Sequence, residues 1–397
     1  MAAEKDGCMN SRLILTMICM AATIVGSTSP AAKAATATQF WVYIGTNTHP
    51  PSESKGIYLY RFDAASGDVA NRGLAADIDD PGWQVIPPSG KFLYTCATTD
   101  KHRTSIVAAY RIDPNTGALT FLNQQPSGGE DTPHVDVDPA GSCVVAANYG
   151  SGDISVLPIN ADGSLSAPSA VIKHSGSSVN PDRQKHPYPH SCNFDPSGKF
   201  VLVPDLGVDK VYIYRFDPVT RTLIAASPPT VSVTPGFGPR HMSFHPNGKF
   251  AYLINEMGGT VVVFSWDSAA GQLRALQTLS TVPPDYHGLN TSAEVHVLPN
   301  GRFLYATNRG PDDIAIFAAD PGSGALRLLG YQPTQGKHPR DFAIDPTGQF
   351  LFVANMNSDS VVIFRVNPET GQLTPTGQVL HVPTPDCVTF LPISNNG

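Results

Sequence analysis

Seven ionisable residues stand out in this chain because each appears at only one or two of the places where its surroundings recur: His190, Arg240, Glu256, Glu294, His296, Arg309 and Arg340. They fall in two kinds of short segment. One kind reads Pro133-His134, Pro189-His190, Pro239-Arg240-His241, Glu294-Val295-His296, Pro339-Arg340 and Pro385-Asp386. The other reads Asn148-Tyr149-Gly150, Asp205-Leu206-Gly207, Asn255-Glu256, Asn308-Arg309-Gly310 and Asn355-Met356. A carboxylate or an imidazole can take a proton from water and later return it to a leaving oxygen. A guanidinium presents a rigid fork of donors that suits an oxyanion, or a carboxylate or phosphate on a ligand. These are the parts of an acid–base site for a carbonyl compound, provided the fold gathers them.

Two interleaved repeats show how it does. In the first, an alternating apolar strand runs into Asp or Asn and a turn, as in Ile57-Tyr58-Leu59-Tyr60-Arg61-Phe62-Asp63 and Val211-Tyr212-Ile213-Tyr214-Arg215-Phe216-Asp217. Its acidic or amide positions are 63, 113, 160, 217, 267, 320 and 367, spaced by 50, 47, 57, 50, 53 and 47 residues. In the second, Pro-x-Gly turns such as Pro196-Ser197-Gly198-Lys199-Phe200 and Pro246-Asn247-Gly248-Lys249-Phe250 join two further strands. Proline presets such a turn and glycine accepts its positive φ. A period of this size built of four strands predicts an all-β chain, a β-propeller of seven four-stranded antiparallel blades.

The second pattern occurs six times and the first seven, a mismatch that the chain ends explain. Residues 387–392 read as an opening strand, and residues 41–44 and 57–62 as the later strands of a blade, so one blade is predicted to be closed by both termini. In a propeller the loop leading into each innermost strand and the loop after the second strand share one face. Both kinds of segment therefore converge on one mouth of the central channel. The asparagines at 148, 255, 308 and 355 are expected to serve the turns.

The first 34 residues read differently. Arg12 precedes an apolar run over residues 13–25, followed by Ala32-Lys33-Ala34, the small-residue pattern of a cleaved secretory leader. The run is short for a bilayer span. Residues 1–34 are thus expected to be a signal peptide and 35–397 a single propeller domain, periplasmic or secreted, without membrane insertion of the mature chain. The formal net charge is −7 and no Lys/Arg run occurs, which argues against nucleic acid as a partner. Cys96, Cys143, Cys192 and Cys387 show no metal-like spacing and are expected inside strands as buried free thiols. Glu256, Asn308, Asn355 and Asp205 offer oxygen ligands for calcium, but the neighbouring arginines would crowd a cation. No metal and no cofactor are expected.

At these residues the chain resembles the propeller lactonases, which include bacterial 6-phosphogluconolactonase of the propeller type and fungal carboxy-cis,cis-muconate cyclase. The resemblance runs from Tyr43-Ile44-Gly45-Thr46 to the closing strand. Its specific stretches include Pro189-His190-Ser191, Gly238-Pro239-Arg240-His241, Asn255-Glu256, Ala293-Glu294-Val295-His296, Asn308-Arg309-Gly310 and Pro339-Arg340-Asp341. It implies hydrolysis of a sugar-acid lactone, with His190, Arg240, Glu256 and Arg309 catalytic and either Glu256 or His190 as the base. His134, His241, Glu294, His296 and Arg340 would then bind the substrate, a small-molecule lactone, in a monomer. Two departures bear on substrate preference: Ala97-Thr98-Thr99 replaces an Asn-Glu, and His186-Pro187-Tyr188-Pro189 precedes His190. Two other readings remain open. One is a cyclase or lactonase of aromatic-acid breakdown; the other is a non-catalytic secreted propeller that binds a protein or cell-wall ligand.

Overall fold

The alternating runs fold as strands because each buries one side-chain face against the next sheet. The computed structural model describes residues 37–99 and 104–393, and groups their 28 strands into seven four-stranded antiparallel sheets. Counting from Trp83, six blades follow in chain order, each running from an innermost to an outermost strand. The seventh is closed by both termini, as expected: Pro385–Pro392 lies innermost, followed by Gln39–Thr46, Gly56–Asp63 and Asp68–Asp77. Trp41 pairs with Leu391 and Ile44 with Val388. The expected leader, residues 1–34, lies outside the described residues. Among the described residues no helix is long and apolar enough to cross a membrane.

The core is divided among the seams. Each of seven apolar clusters joins two neighbouring sheets, for example Tyr94, Val107 and Ala109 with Val135, Val144 and Leu157, or Phe250, Tyr252 and Val263 with Leu304, Ala315 and Phe317. Each Val, Leu or Phe among them contributes about 1.5–3 kcal/mol on burial. Hydroxyls add direction: Tyr43, Tyr94, Tyr252 and Tyr305 donate to the carbonyls of Gly117, Gly163, Gly324 and Gly371 in the next blade, at 2.7, 3.0, 3.1 and 2.9 Å. Gly117 must be glycine. Its φ is 72°, and an added Cβ would approach Trp41 to 2.6 Å.

The asparagines brace the mouth. Asn148 donates to Asp153 and Ser155 and accepts from Thr132, each at 2.7 Å. Asn308 donates to Asp313 at 2.8 Å and to the Thr281 carbonyl at 2.6 Å. Among the described residues Cys96, Cys143, Cys192 and Cys387 are free and buried, and Cys192 precedes its strand rather than lying in it.

The innermost strands break their ladders at the residues that matter. In the fourth blade Pro239 pairs with Asn255 and His241 with Ile254, so Arg240 is an unpaired extra residue. Arg340 is the extra residue of the sixth blade and Asp386 that of the seventh. In the fifth, Ala293 and Glu294 together oppose Thr307. A bulge of this kind turns a side chain out of the strand's normal alternation. Several residues expected in loops are therefore on strand openings: His134 in His134–Val137, Arg240 and His241 in Pro239–Phe244, Glu294 and His296 in Ser292–Val297, and Arg340 in Pro339–Ile344. Pairing continues further toward the mouth than the sequence pattern suggests, because the bulge accommodates the residue the ladder cannot. His190, Glu256 and Arg309 do lie in loops.

Candidate active site

Glu256 is the electrostatic centre of the mouth. It follows the second strand of the fourth blade, and its backbone N–H donates to the Gly238 carbonyl at 2.8 Å. Arg240 Nη1 lies 2.7 Å and Arg309 Nη2 3.1 Å from its Oε2, while Arg183 Nη2 lies 2.7 Å from Oε1. Burial pushes the Glu256 carboxyl up, but Arg240, Arg309 and Arg183 outweigh it and hold the group well below the usual carboxylate range. It is a counter-charge and a poor proton acceptor. Arg240 and Arg309 are buried with side chains 3% and 6% exposed, so this carboxylate is what makes their burial tolerable. Backbone carbonyls complete their shells: Arg240 Nε donates to Ala293 at 3.0 Å and Arg309 Nε to Thr291 at 3.1 Å.

A line of imidazoles runs from this centre into the channel. Arg240 Nη1 donates to His190 Nε2 at 2.5 Å. His190 Nδ1 lies 3.2 Å from His241 Nε2, and His241 Nδ1 lies 2.5 Å from Glu294 Oε2. One direction of donation satisfies every member: His241 Nδ1–H to the carboxylate, His190 Nδ1–H to His241, and Arg240 to the remaining lone pair of His190. Burial, followed by Arg240 and His241, keeps His190 well below the ordinary imidazole value, and burial with Arg240 does the same for His241. Both rings are neutral at pH 7. His190 Nε2 thus carries a lone pair at the mouth, with its tautomer set from behind.

Above this line opens a cavity of about 250 Å³, lined by His190, Arg340, Asp386, Asp80, Asp131 and Tyr149 among others. Arg340 Nε donates to the Asp386 carboxylate. A narrower throat beneath reaches Arg240 and His241. A larger surface hollow of about 850 Å³ beside residues 47–53 and 356–359 shares only Asn47 with the mouth cavity and holds none of the predicted residues.

The four residues that the family resemblance marks as catalytic come together at the mouth. The other five do not all face a ligand. Arg340 lines the cavity, whereas His241 and Glu294 stand behind His190. His134 is buried against Trp83, their rings 4.4 Å apart, and His296 opens on a separate part of the channel. The strands' alternation and bulges turned these side chains away from the mouth although their positions adjoin it.

The sequence reading missed Arg183, which reaches Glu256 from the segment joining the second and third blades. Its Nη2 also lies 3.4 Å from the Tyr149 hydroxyl. Buried Gln184 anchors the segment, donating to the Leu206 carbonyl at 2.8 Å and to Asp209 at 2.7 Å. The signal was there in the 57-residue spacing between positions 160 and 217, the longest of the seven-fold repeat. His338 was missed too. Burial and then Arg309, Arg340 and Arg240 bring it down to about 4, which marks it as a neutral neighbour of the arginine cluster.

Among the described residues, the non-repeating His190, Arg240, Glu256, Arg309 and Arg340 gather at one end of the ring, which makes the channel mouth the candidate site of this propeller. The chain belongs to the lactonase family of seven-bladed β-propellers, whose family model matches residues 41–390. It is 37% identical to a 6-phosphogluconolactonase of Bacillus subtilis over 354 residues, 89% of this chain and 99% of that one. It is 34% identical to a 6-phosphogluconolactonase of Formosa agariphila, over 73% of this chain and 82% of that one. Among solved structures, a periplasmic gluconolactonase of Pseudomonas aeruginosa superposes with a TM-score of 0.83 at 34% identity, over 90% of this chain and all of the other.

Proposed function

We propose that this mouth hydrolyses an unphosphorylated sugar-acid lactone, with His190 as the general base. The observation that carries this reading is the imidazole line: a neutral His190 whose Nδ1–H is committed to His241 and whose Nε2 lone pair faces the cavity floor. A lactone carbonyl that takes over the Arg240 hydrogen bond frees Nε2 for a water. His190 removes one proton from that water as its oxygen attacks the carbonyl carbon. Arg240 holds the oxyanion, helped by Arg340 at the cavity wall, and Glu256 keeps the guanidiniums fixed and charged. Collapse of the tetrahedral intermediate breaks the ring C–O bond, and the imidazolium returns its proton to the ring oxygen, leaving the hydroxy acid.

The cavity lining supports a sugar and argues against a phosphate. Asp80, Asp131 and Asp386 line it beside a single arginine, Arg340, which already pairs with Asp386. Carboxylates accept hydroxyl hydrogens well and repel a dianion. The similarity to the periplasmic gluconolactonase of Pseudomonas aeruginosa points the same way.

The decisive assay is proton release from a panel of γ- and δ-lactones, sugar and non-sugar, with and without phosphate. Turnover should be best on an unphosphorylated aldonolactone; no turnover on any lactone would move the non-catalytic binding protein ahead. The pH profile gives the base. Because His190 is held well below the ordinary imidazole value, kcat/KM should stay level as the pH falls through 6 and decline only at lower pH. An acid limb centred near 6.5 would assign the proton transfer to a different, exposed histidine.

Export follows as part of the same reading. A sugar lactone without phosphate is a substrate for a periplasmic or secreted enzyme, and residues 1–34 carry the leader pattern. The mature chain should begin near Ala35; N-terminal sequencing of protein from an extracytoplasmic fraction checks it, and an intact leader in cytosolic protein would contradict it.

A further inference from the structure

We infer that Glu294, His296 and Asp341 form a binding site for one divalent transition-metal ion of the Zn(II) or Mn(II) class, inside the central channel beneath the mouth. Glu294 and His296 are two apart on the innermost strand of the fifth blade. Strand alternation sends both toward the channel, while Val295 between them packs into the seam with the fourth blade. Asp341 comes from the matching strand of the sixth blade. One ligand atom from each residue lies within 4.8 Å of the other two, and Glu294 Oε1 and His296 Nε2 are 3.7 Å apart. Ligands held at Zn–O and Zn–N distances of about 2.0–2.2 Å in a tetrahedron sit roughly 3.3–3.6 Å from one another. A small contraction of the cluster would close around an ion.

A second observation points to a ligand. Asp341 is 2% exposed; its Oδ2 accepts the Val388 N–H at 2.8 Å, yet its Oδ1 is buried with no hydrogen-bond partner. Gln84, 5% exposed, has neither its amide oxygen nor its nitrogen paired, and it lines the same cavity of about 330 Å³ as His296 and Asp341. Buried polar atoms left this way are costly, and a cation with its waters would satisfy them. The cavity is bounded by Pro299 and Pro346, which open hairpin turns on the face opposite the mouth, so an ion would enter from there and leave the substrate cavity untouched.

The donor set decides the class of ion. One imidazole and two carboxylates suit Zn(II) or Mn(II) better than an all-oxygen ion such as Ca(II) or Mg(II), and the site has no soft sulfur ligand. The ion would neutralise two neighbouring carboxylates and join the inner strands of two blades. It would also fix Glu294, whose other oxygen holds His241. No cysteine or histidine spacing in the sequence announces such a site, because its third ligand comes from the next blade.

Untagged protein, stripped by chelator dialysis, can be titrated calorimetrically with Zn(II), Mn(II), Mg(II) and Ca(II), and its metal content then measured by mass spectrometry. The expected result is one equivalent of Zn(II) or Mn(II) bound at micromolar affinity or tighter, with a raised Tm. Mg(II) and Ca(II) should bind far more weakly. His296→Gln and Asp341→Asn should each weaken binding by roughly 100-fold or more, and Arg183→Met, at the mouth, should not change it. Should a variant fail to fold, Co(II) loaded into the wild-type chain still reports through its visible absorption whether nitrogen and oxygen ligands surround the ion. Substoichiometric metal in the wild-type protein, or full binding retained in both ligand variants, would overturn the site.

Discussion

His190→Gln should lower kcat on the preferred lactone by about 10² to 10⁴ while leaving KM and Tm close to wild type. The amide of glutamine can still accept from Arg240 and donate toward His241, so the two hydrogen bonds that hold the ring are matched by shape. What is lost is a lone pair that can keep a proton. Steady-state kinetics on the panel's best substrate, with a thermal melt of the same preparation, separates the two effects. An unchanged kcat would remove His190 from the chemistry. A kcat loss accompanied by a large fall in Tm would mean that the imidazole line is structural.

Glu256→Gln should behave differently, as a stability defect first and a kinetic one second. Replacing the carboxylate leaves Arg240 and Arg309 buried without their counter-charge, and breaking a buried pair in this way costs about 3–5 kcal/mol. Its side chain would still fill the space. The damage should appear as a lower midpoint in denaturant with an unchanged m-value. Adding Arg309→Met should recover part of the loss, since it removes one of the stranded charges. Arg183→Met should cost no more than about 1 kcal/mol, because the Arg183 side chain is 41% exposed and solvent screens its pair. Equal stability of wild type and Glu256→Gln would mean that the arginines do not depend on this carboxylate.

These expectations differ from a reading of the sequence alone, in which Glu256 and His190 were equal candidates for the base. Residue type could not separate them. What does is the crowd of guanidiniums around one and the neutral neighbours behind the other, and both come from different blades. The ring itself was far more legible. Pro-x-Gly turns and the alternation in segments such as Val211 to Phe216 are local signals that dictate strands wherever they occur, and the mismatch in repeat counts was enough to close the seventh blade. The strand openings were less so. Whether Arg240 or Glu294 is paired depends on the partner strand's register, which no spacing along the chain records. Arg183 shows the same limit: the extra residues after position 160 were countable, but which of them points at Glu256 is decided by Gln184 and Asp209 beneath the segment.

The bulges at Arg240, Arg340 and Asp386 have a consequence for how such a ring can change over generations. Each holds a side chain whose backbone takes no part in the pairing of its neighbours, so exchanging it leaves the ladder and the apolar seam as they were. The fourth, sixth and seventh blades therefore carry interchangeable sockets around the mouth, arranged about a common axis. A new substrate can be tried by altering one socket at a time, and an unsuccessful trial breaks that residue's own polar contacts while the strand pairing stands. Selection can thus explore combinations of charge around the opening far faster than it could reshape a site built from residues that also hold the strands together.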